Sequence, residues 1–408
     1  MISVLLPANS LSYASQLDRL MESGALPPFD PLVIEFLDAV SKSVLLDNVM
    51  RSLPEMAAVA HWMRKAHTVE LRDAFEKNCG DRIWLARGVA LHFAPANVDS
   101  IFLYSWFISM LAGNANIVRL SARSREQVGV LLARLNFVLE LERFKPIVDR
   151  SLILSYDRDD AITRQLSGIC QVRVLWGGDE SVRHLRAVPL NPLANEIVFA
   201  NRFSLAVLNA GEILRLEKDA LENLAVRFCN DAYGFDQMAC SSPRLVVWVG
   251  STSSCDSAQE LFWHEVTNEL TRRGQQYPEI VGLNKYVSAC VAAGNGFTDK
   301  IYSDVTGPVS RMRLAKDANS DFRQVECGGG LFFETEIDEL IQIASLLTER
   351  DQTVSYCGFQ KNELRQLALS LPARAVDRIV PIGAALNFST VWDGYNLLQC
   401  FSREVDLQ

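Results

Sequence analysis

The chain has 408 residues, 49% of them hydrophobic and 22% charged, a balance that excludes an intrinsically unfolded chain and suits a globular enzyme of two or three domains. Forty basic against 49 acidic side chains leave a net charge of -9 with no basic run, which argues against general nucleic-acid binding. Nine cysteines, an odd number with no CxxC pair and no Cys/His spacing suited to zinc, point to neither a disulfide framework nor a bound metal and fit a reducing, cytoplasmic setting.

The opening MISVLLPANSLSYASQLDR places no basic residue ahead of its apolar stretch, so no secretory signal is expected. Residues 1–80 are predicted to be mainly helical, because apolar positions recur at three-and-four spacing through PLVIEFLDAVSKSVLL and again around MAAVAHWMRKA. After Gly80 the pattern changes. The short apolar runs VALHFAP, NANIVRLS, LILSYD, VRVLWGG, EIVFAN and SLAVLNA alternate with helical segments, which predicts parallel strand-helix-strand units and a doubly wound α/β sheet with a ligand at the carboxyl ends of its strands. Ser100 to Val118 carries no charge for 19 residues, close to membrane-spanning length. Ser105, Ser109, Asn114 and Asn116 along it, and Gly113 within it, favour instead a buried helix followed by a strand, with no membrane span.

From about Leu216 a helix leads into NDAYGFDQMACSSPR and the strand LVVWVG, followed by a second alternating set with VECGGGLFFE, TVSYCG and DRIVPIG. A second α/β domain is expected there, its boundary near Phe203 to Gly211. Fingerprints of the form GxxxxGK[ST], GxSxG and GxGxxG are all absent. Four stretches remain. Gly177 and Gly178 form a strand-to-helix turn where a phosphate would find a helix N-terminus, although Asp179 and Glu180 read equally as cap and first-turn carboxylates. Cys240 lies in a polar, turn-rich stretch ahead of a strong strand, where a nucleophile is both exposed and held, whereas most of the other cysteines are expected to be small buried hydrophobes. Asn97 follows a strand in HFAPANVDS and reads as an amide aimed at a ligand or as a turn residue. Gly328 to Gly330, after Glu326 and Cys327, need backbone freedom for a ligand or simply for a loop.

The order of these four stretches resembles that of the aldehyde dehydrogenase superfamily, most closely its LuxC-type acyl-CoA reductases. APAN with Asn97 is similar to the superfamily's Asn after Pro, GNANIVRLS to its GNxVxxK segment with Arg119 at the Lys position, and LWGGDESV to its strand-turn-helix. DQMACSSPR resembles the nucleophile segment, VECGGG the Glu that contacts the nicotinamide ribose, and DRIVPIGAALNFSTVWDGYNLL the LuxC branch in particular, so that the likeness runs over about residues 80 to 400.

The resemblance implies an aldehyde-dehydrogenase-like α/β fold: a helical region at 1–80, a Rossmann-type nucleotide-binding domain at 81–208, a catalytic thiol domain at 209–385, and a tail at 386–408 that returns to the nucleotide-binding or oligomerisation region. It implies a fatty acyl reductase that uses NADPH to turn acyl-CoA or acyl-protein into aldehyde through an acyl-cysteine. Cys240 would be the nucleophile and Asn97 would hold the oxyanion. Arg119, Arg123, Gly177, Gly178 and Glu326 would hold the nucleotide, the two arginines reaching a 2'-phosphate. The superfamily's general-base Glu is replaced by Val198, unless Glu196 takes the role. LuxC-type reductases are fed by an acyl-activating or acyl-transferring partner, and a homo-oligomer is also expected. A CoA-acylating dehydrogenase of short aldehydes and a non-catalytic scaffold are the alternatives.

Overall fold

The computed structural model describes residues 2–8, 11–51, 53–95, 101–121, 126–302, 305–325 and 327–407. The chain divides into two compact units, residues 1–201 with 388–408, and residues 202–387.

The first unit contains, in chain order, β1 (Ser3–Leu6), β2 (Ile83–Ala86), β3 (Val89–Phe93), β4 (Ala115–Leu120), β5 (Ser151–Ser155), β6 (Val172–Trp176) and β7 (Asn195–Phe199). Six of these make one sheet in the order β1-β5-β4-β3-β6-β7. It is parallel from β5 to β7, and only β1 runs antiparallel. From β3 the chain steps outward to β4 and β5, then returns to lay β6 and β7 on the other side, so the topological switch point lies between β3 and β6. VALHF and VRVLW are buried at every position, as expected of parallel strands covered on both faces.

The uncharged stretch is the helix Ile101–Leu111 followed by β4. Phe102, Trp106 and Phe107 are buried, and Tyr104 stacks on Phe388 at 5.2 Å and lies 5.6 Å from Trp392, so the closing segment of the chain covers this helix. Ser402–Val405 then pairs antiparallel with β2. No helix among the described residues is long and apolar enough to cross a membrane.

A buried polar chain threads this core. The Nδ1 of His92 sits 3.1 Å from Ser105 Oγ and its Nε2 3.0 Å from Asn116 Oδ1, while Asn116 Nδ2 donates to the Asn114 carbonyl at 2.9 Å. The last bond turns Asn116 Oδ1 toward the ring, so Nε2 carries the proton of a neutral imidazole. Burial lowers the His92 pKa to about 4. An unfolded histidine titrates near 6.5, so the unfolded chain binds the extra proton first on acidification. Stability from this site is therefore complete above pH ~6.5 and is lost as pH falls through about 4, a change of about 3 kcal/mol. Urea unfolding between pH 7 and pH 4 is expected to show this acid slope, and His92→Gln to flatten it.

The second unit contains β8 (Phe203–Asn209), β9 (Pro243–Val249), β10 (Thr298–Tyr302), β11 (Ser310–Leu314), β12 (Leu331–Ile337), β13 (Asp351–Cys357) and β14 (Arg378–Pro381). Their order is β10-β11-β12-β9-β8-β13-β14, parallel except for the β10–β11 hairpin. Alternate residues feed two cores: Leu205, Val207, Leu245 and Val247 on one face, Ala206, Leu208, Val246 and Trp248 on the other. Two register shifts, between Asp351 and Thr353 and beside Ser204, leave Gln352 and Arg244 as extra residues at the amino ends of β13 and β9. Such bulges re-aim side chains, and here they do so next to Cys240.

Candidate active site

The helix Lys218–Tyr233 ends at Gly234, and Phe235, Asp236 and Gln237 follow with φ of 53°, 52° and 66°. Three successive non-glycine residues in left-handed backbone are costly and persist only where surrounding contacts impose them. Gln237 supplies most of those contacts. Fully buried, it donates from Nε2 to the carbonyls of Pro243 (3.0 Å) and Leu331 (3.1 Å) and accepts at Oε1 from the N–H groups of Gly330 (2.9 Å) and Leu331 (3.1 Å).

The glycine run closes on the same turn. Gly329 N donates to Asp236 O at 3.0 Å. A Cβ at Gly328 would lie 2.6 Å from Asp236 O, and one at Gly330 would lie 2.1 Å from Pro308 O, with φ of 71° and 83°. Two stretches far apart in sequence, DQMACSSPR and VECGGG, are thus packed together, and the glycines are required by the approach of protein backbone.

Cys240 follows this turn, half-buried, three residues ahead of β9. It therefore stands at the amino ends of the strands in its unit, opposite to the carboxyl-end position expected of a doubly wound sheet. Ser204 Oγ donates to the Cys240 carbonyl at 2.6 Å and accepts from Thr353 N at 3.2 Å, tying the cysteine backbone to β8 and β13. Gln352 Nε2 donates to Cys240 Sγ at 3.4 Å. Neither Ser204 nor Gln352 stands out in the sequence, since no spacing marks a polar residue whose role is set by strand pairing.

Four cysteines, Cys79, Cys170, Cys229 and Cys255, are buried, four including Cys240 and Cys327 are half-buried, and Cys290 is exposed. Burial thus claims fewer of them than expected. It pushes the thiols of Cys229 and Cys255 up to about 12, which keeps both protonated and unreactive at neutral pH.

In the first unit, Gly177 and Gly178 follow β6 at the switch point and open the helix Asp179–Arg186. A side chain at Gly178 would meet nothing nearer than Asn201 Oδ1 at 3.6 Å, so the protein's own packing does not require glycine there. Asp179 Oδ1 accepts from Asn201 N at 3.3 Å, which engages one of the two carboxylates beside the turn. Arg119 occupies the next-to-last position of β4, donates to the Tyr156 carbonyl at 3.1 Å and lies over the Tyr156 ring at 5.2 Å, with its pKa lowered by burial. Asn97, Arg123 and Glu326 lie outside the described residues.

Residues 41–404 match the family profile described as acyl-CoA reductase (LuxC). The chain belongs to the LuxC acyl-CoA reductase family. A curated relative, long-chain acyl-protein thioester reductase 2 of Photobacterium leiognathi, is 21% identical over 235 residues, a match that takes in 57% of this chain and 43% of that relative. Less than half of the relative's length is thereby accounted for. Among solved structures, aldehyde dehydrogenase 21 of Physcomitrella patens is similar with a TM-score of 0.67 at 9% identity, over 96% of this chain and 89% of that one. An NAD-dependent benzaldehyde dehydrogenase of Corynebacterium glutamicum matches with a TM-score of 0.64 at 13% identity, over 96% and 86%. The fold is that of the aldehyde dehydrogenases.

In this LuxC-family chain the resemblance sets a hydrophobic residue at the position of the superfamily's general base. Val198, in β7, packs against the core of the first unit. The Glu196 carboxylate is already engaged: it accepts from Arg173 Nε at 2.8 Å and pairs with Arg186 Nε at 2.9 Å.

Proposed function

We propose that this protein reduces fatty acyl thioesters, acyl-CoA or acyl-protein, to the aldehyde with NADPH, through a covalent acyl group on Cys240. One observation carries the reading: Cys240 is a partly accessible thiol at the end of a loop locked by Gln237, with a hydrogen-bond donor on its sulfur. Its thiolate attacks the acyl carbonyl, forming the new C–S bond, and the oxyanion is held by the Cys240 backbone N–H and the Asn97 amide. Collapse breaks the C–S bond to the donor, whose thiolate departs without a strong general acid. With neither Val198 nor Glu196 available to activate water, the acyl-enzyme persists. A bound reduced nicotinamide supplies the hydride that makes the aldehyde.

The open turn at Gly177–Gly178, at the switch point of a parallel sheet, suits the pyrophosphate of that nucleotide. Glu326 is assigned to the nicotinamide ribose by resemblance. Arg119 and Arg123 are assigned to the 2'-phosphate, where guanidinium groups bind through charge-assisted bonds. Replacing both with Gln is expected to raise the KM for NADPH about tenfold or more and that for NADH little, since only the former has the phosphate. Equal effects on both nucleotides would remove the assignment.

The family resemblance further supports a cytoplasmic enzyme, self-associated and fed by an acyl-activating or acyl-transferring partner; a soluble enzyme gains by passing long chains on directly, at about 0.8 kcal/mol per CH2 kept from water. Nucleotide oxidation measured with acyl-CoAs of graded length tests the function. Turnover that favours long chains supports it, turnover confined to short chains indicates a CoA-acylating aldehyde dehydrogenase, and no turnover with any acyl-CoA or acyl-protein indicates a scaffold.

A further inference from the structure

We infer that Gln352 is a catalytic hydrogen-bond donor that holds the Cys240 sulfur in its ionised, attacking form. The inference rests on the reading of Cys240 as nucleophile and adds the group that poises it.

The placement of Gln352 comes from an irregularity in the sheet. Asp351 pairs with Phe203 and Thr353 with Ser204, which leaves Gln352 as the extra residue of β13 at a register shift. Its side chain is fully buried and its Nε2 lies 3.4 Å from Cys240 Sγ. Thr353 Oγ1 donates to Gln352 Oε1 at 3.3 Å, while the amide nitrogen faces the sulfur. The backbone on either side is fixed. Asp351 is clamped by Arg323, whose Nε and Nη2 reach its two carboxylate oxygens at 2.9 and 2.8 Å, and by Thr348 N at 2.7 Å. Thr353 N is held by the same Ser204 hydroxyl that grips the Cys240 carbonyl. Both ends of the N–H···S contact are thereby anchored to β8.

An amide suits this task because it donates without accepting a proton. Cys240 S–H ionises to water, the thiolate forms the C–S bond to the acyl carbon, the C–S bond to the donor breaks, and the departing thiolate takes a proton from water; no electrons are gained or lost. Gln352 favours the thiolate at the start of this exchange and again when the aldehyde leaves and the sulfur regains its charge. Being no base, it does not activate water against the thioester in between.

The test is the pH dependence of Cys240 alkylation by iodoacetamide, read peptide by peptide by mass spectrometry, with exposed Cys290 in the same digest as internal reference. In the wild-type protein Cys240 is expected to titrate about one pH unit or more below Cys290. Gln352→Leu should raise the Cys240 midpoint by about one unit and slow its alkylation at pH 7 about tenfold. Gln352→Glu, which keeps the shape but sets a carboxylate against the sulfur, should raise it further, by about two units. Cys290 should not move. A wild-type Cys240 that titrates with or above Cys290 overturns the proposal whatever the variants do. So do Gln352→Leu and Gln352→Glu proteins whose Cys240 titrates as in the wild type. Acyl-CoA treatment of the wild type separates the two levels: no acyl group on Cys240 defeats the nucleophile reading itself, whereas an acyl group there with unshifted variants removes only Gln352.

Discussion

Cys240→Ala is expected to lower acyl-thioester reduction by about three orders of magnitude or more while leaving the fold intact, since removing a covalent nucleophile abolishes the route it opens. The fold should survive because the thiol is only half-buried and the loop is held through other atoms. Gln237 and the Cys240 carbonyl make their bonds without the sulfur. Steady-state rates and a thermal melt on the same preparation separate the two effects. Loss of turnover with an unchanged midpoint is the expected pair. Cys229 and Cys255 are held protonated by burial, and Cys327 donates its own S–H to the Gly328 carbonyl at 3.5 Å.

Gln237→Leu is expected to cost the second unit about 4 kcal/mol of stability, because it strands four backbone groups at the starts of β9 and β12 and each buried orphan costs about 1–3 kcal/mol before relaxation. No neighbouring side chain of similar reach replaces a residue that is both double donor and double acceptor. The left-handed run at 235–237 loses its main restraint at the same time, so the protein that remains folded should also turn over more slowly. Equilibrium denaturation in urea measures the first effect, and rates corrected for the folded fraction measure the second.

The parts of the fold that were readable in the sequence are those whose burial leaves a local pattern. VALHF, VRVLW and LVVWV are strands covered on both faces, and their unbroken apolar runs show it. The uncharged stretch resolves into a core helix and β4, where Ser105, Asn114 and Asn116 find partners that a bilayer would not give. β1 was not readable. Its four residues SVLL sit in a region dominated by helical spacing, and they become a strand only by pairing with β5 about 150 residues later. The β10–β11 hairpin, TDKIY and SRMRL, carries too many charges to announce two strands.

The site shows the same division. Cys240 was legible as a thiol in a polar turn ahead of a strong strand, and Gly328 to Gly330 as a turn. What demands those glycines, the carbonyls of Asp236 and Pro308, is tertiary and leaves no mark in VECGGG. Gln352 and Ser204 were illegible for a related reason. Each takes its role from a register shift that no periodicity records.

Incubating the protein with acyl-CoA in the absence of nucleotide and mapping the modified peptide by mass spectrometry tests the central claim most directly. The account predicts the acyl mass on the peptide containing Cys240, its discharge as aldehyde when NADPH is added, and no label in Cys240→Ala. A stable label on Cys327 or Cys229 with Cys240 unmodified, or full activity in Cys240→Ala, would contradict it.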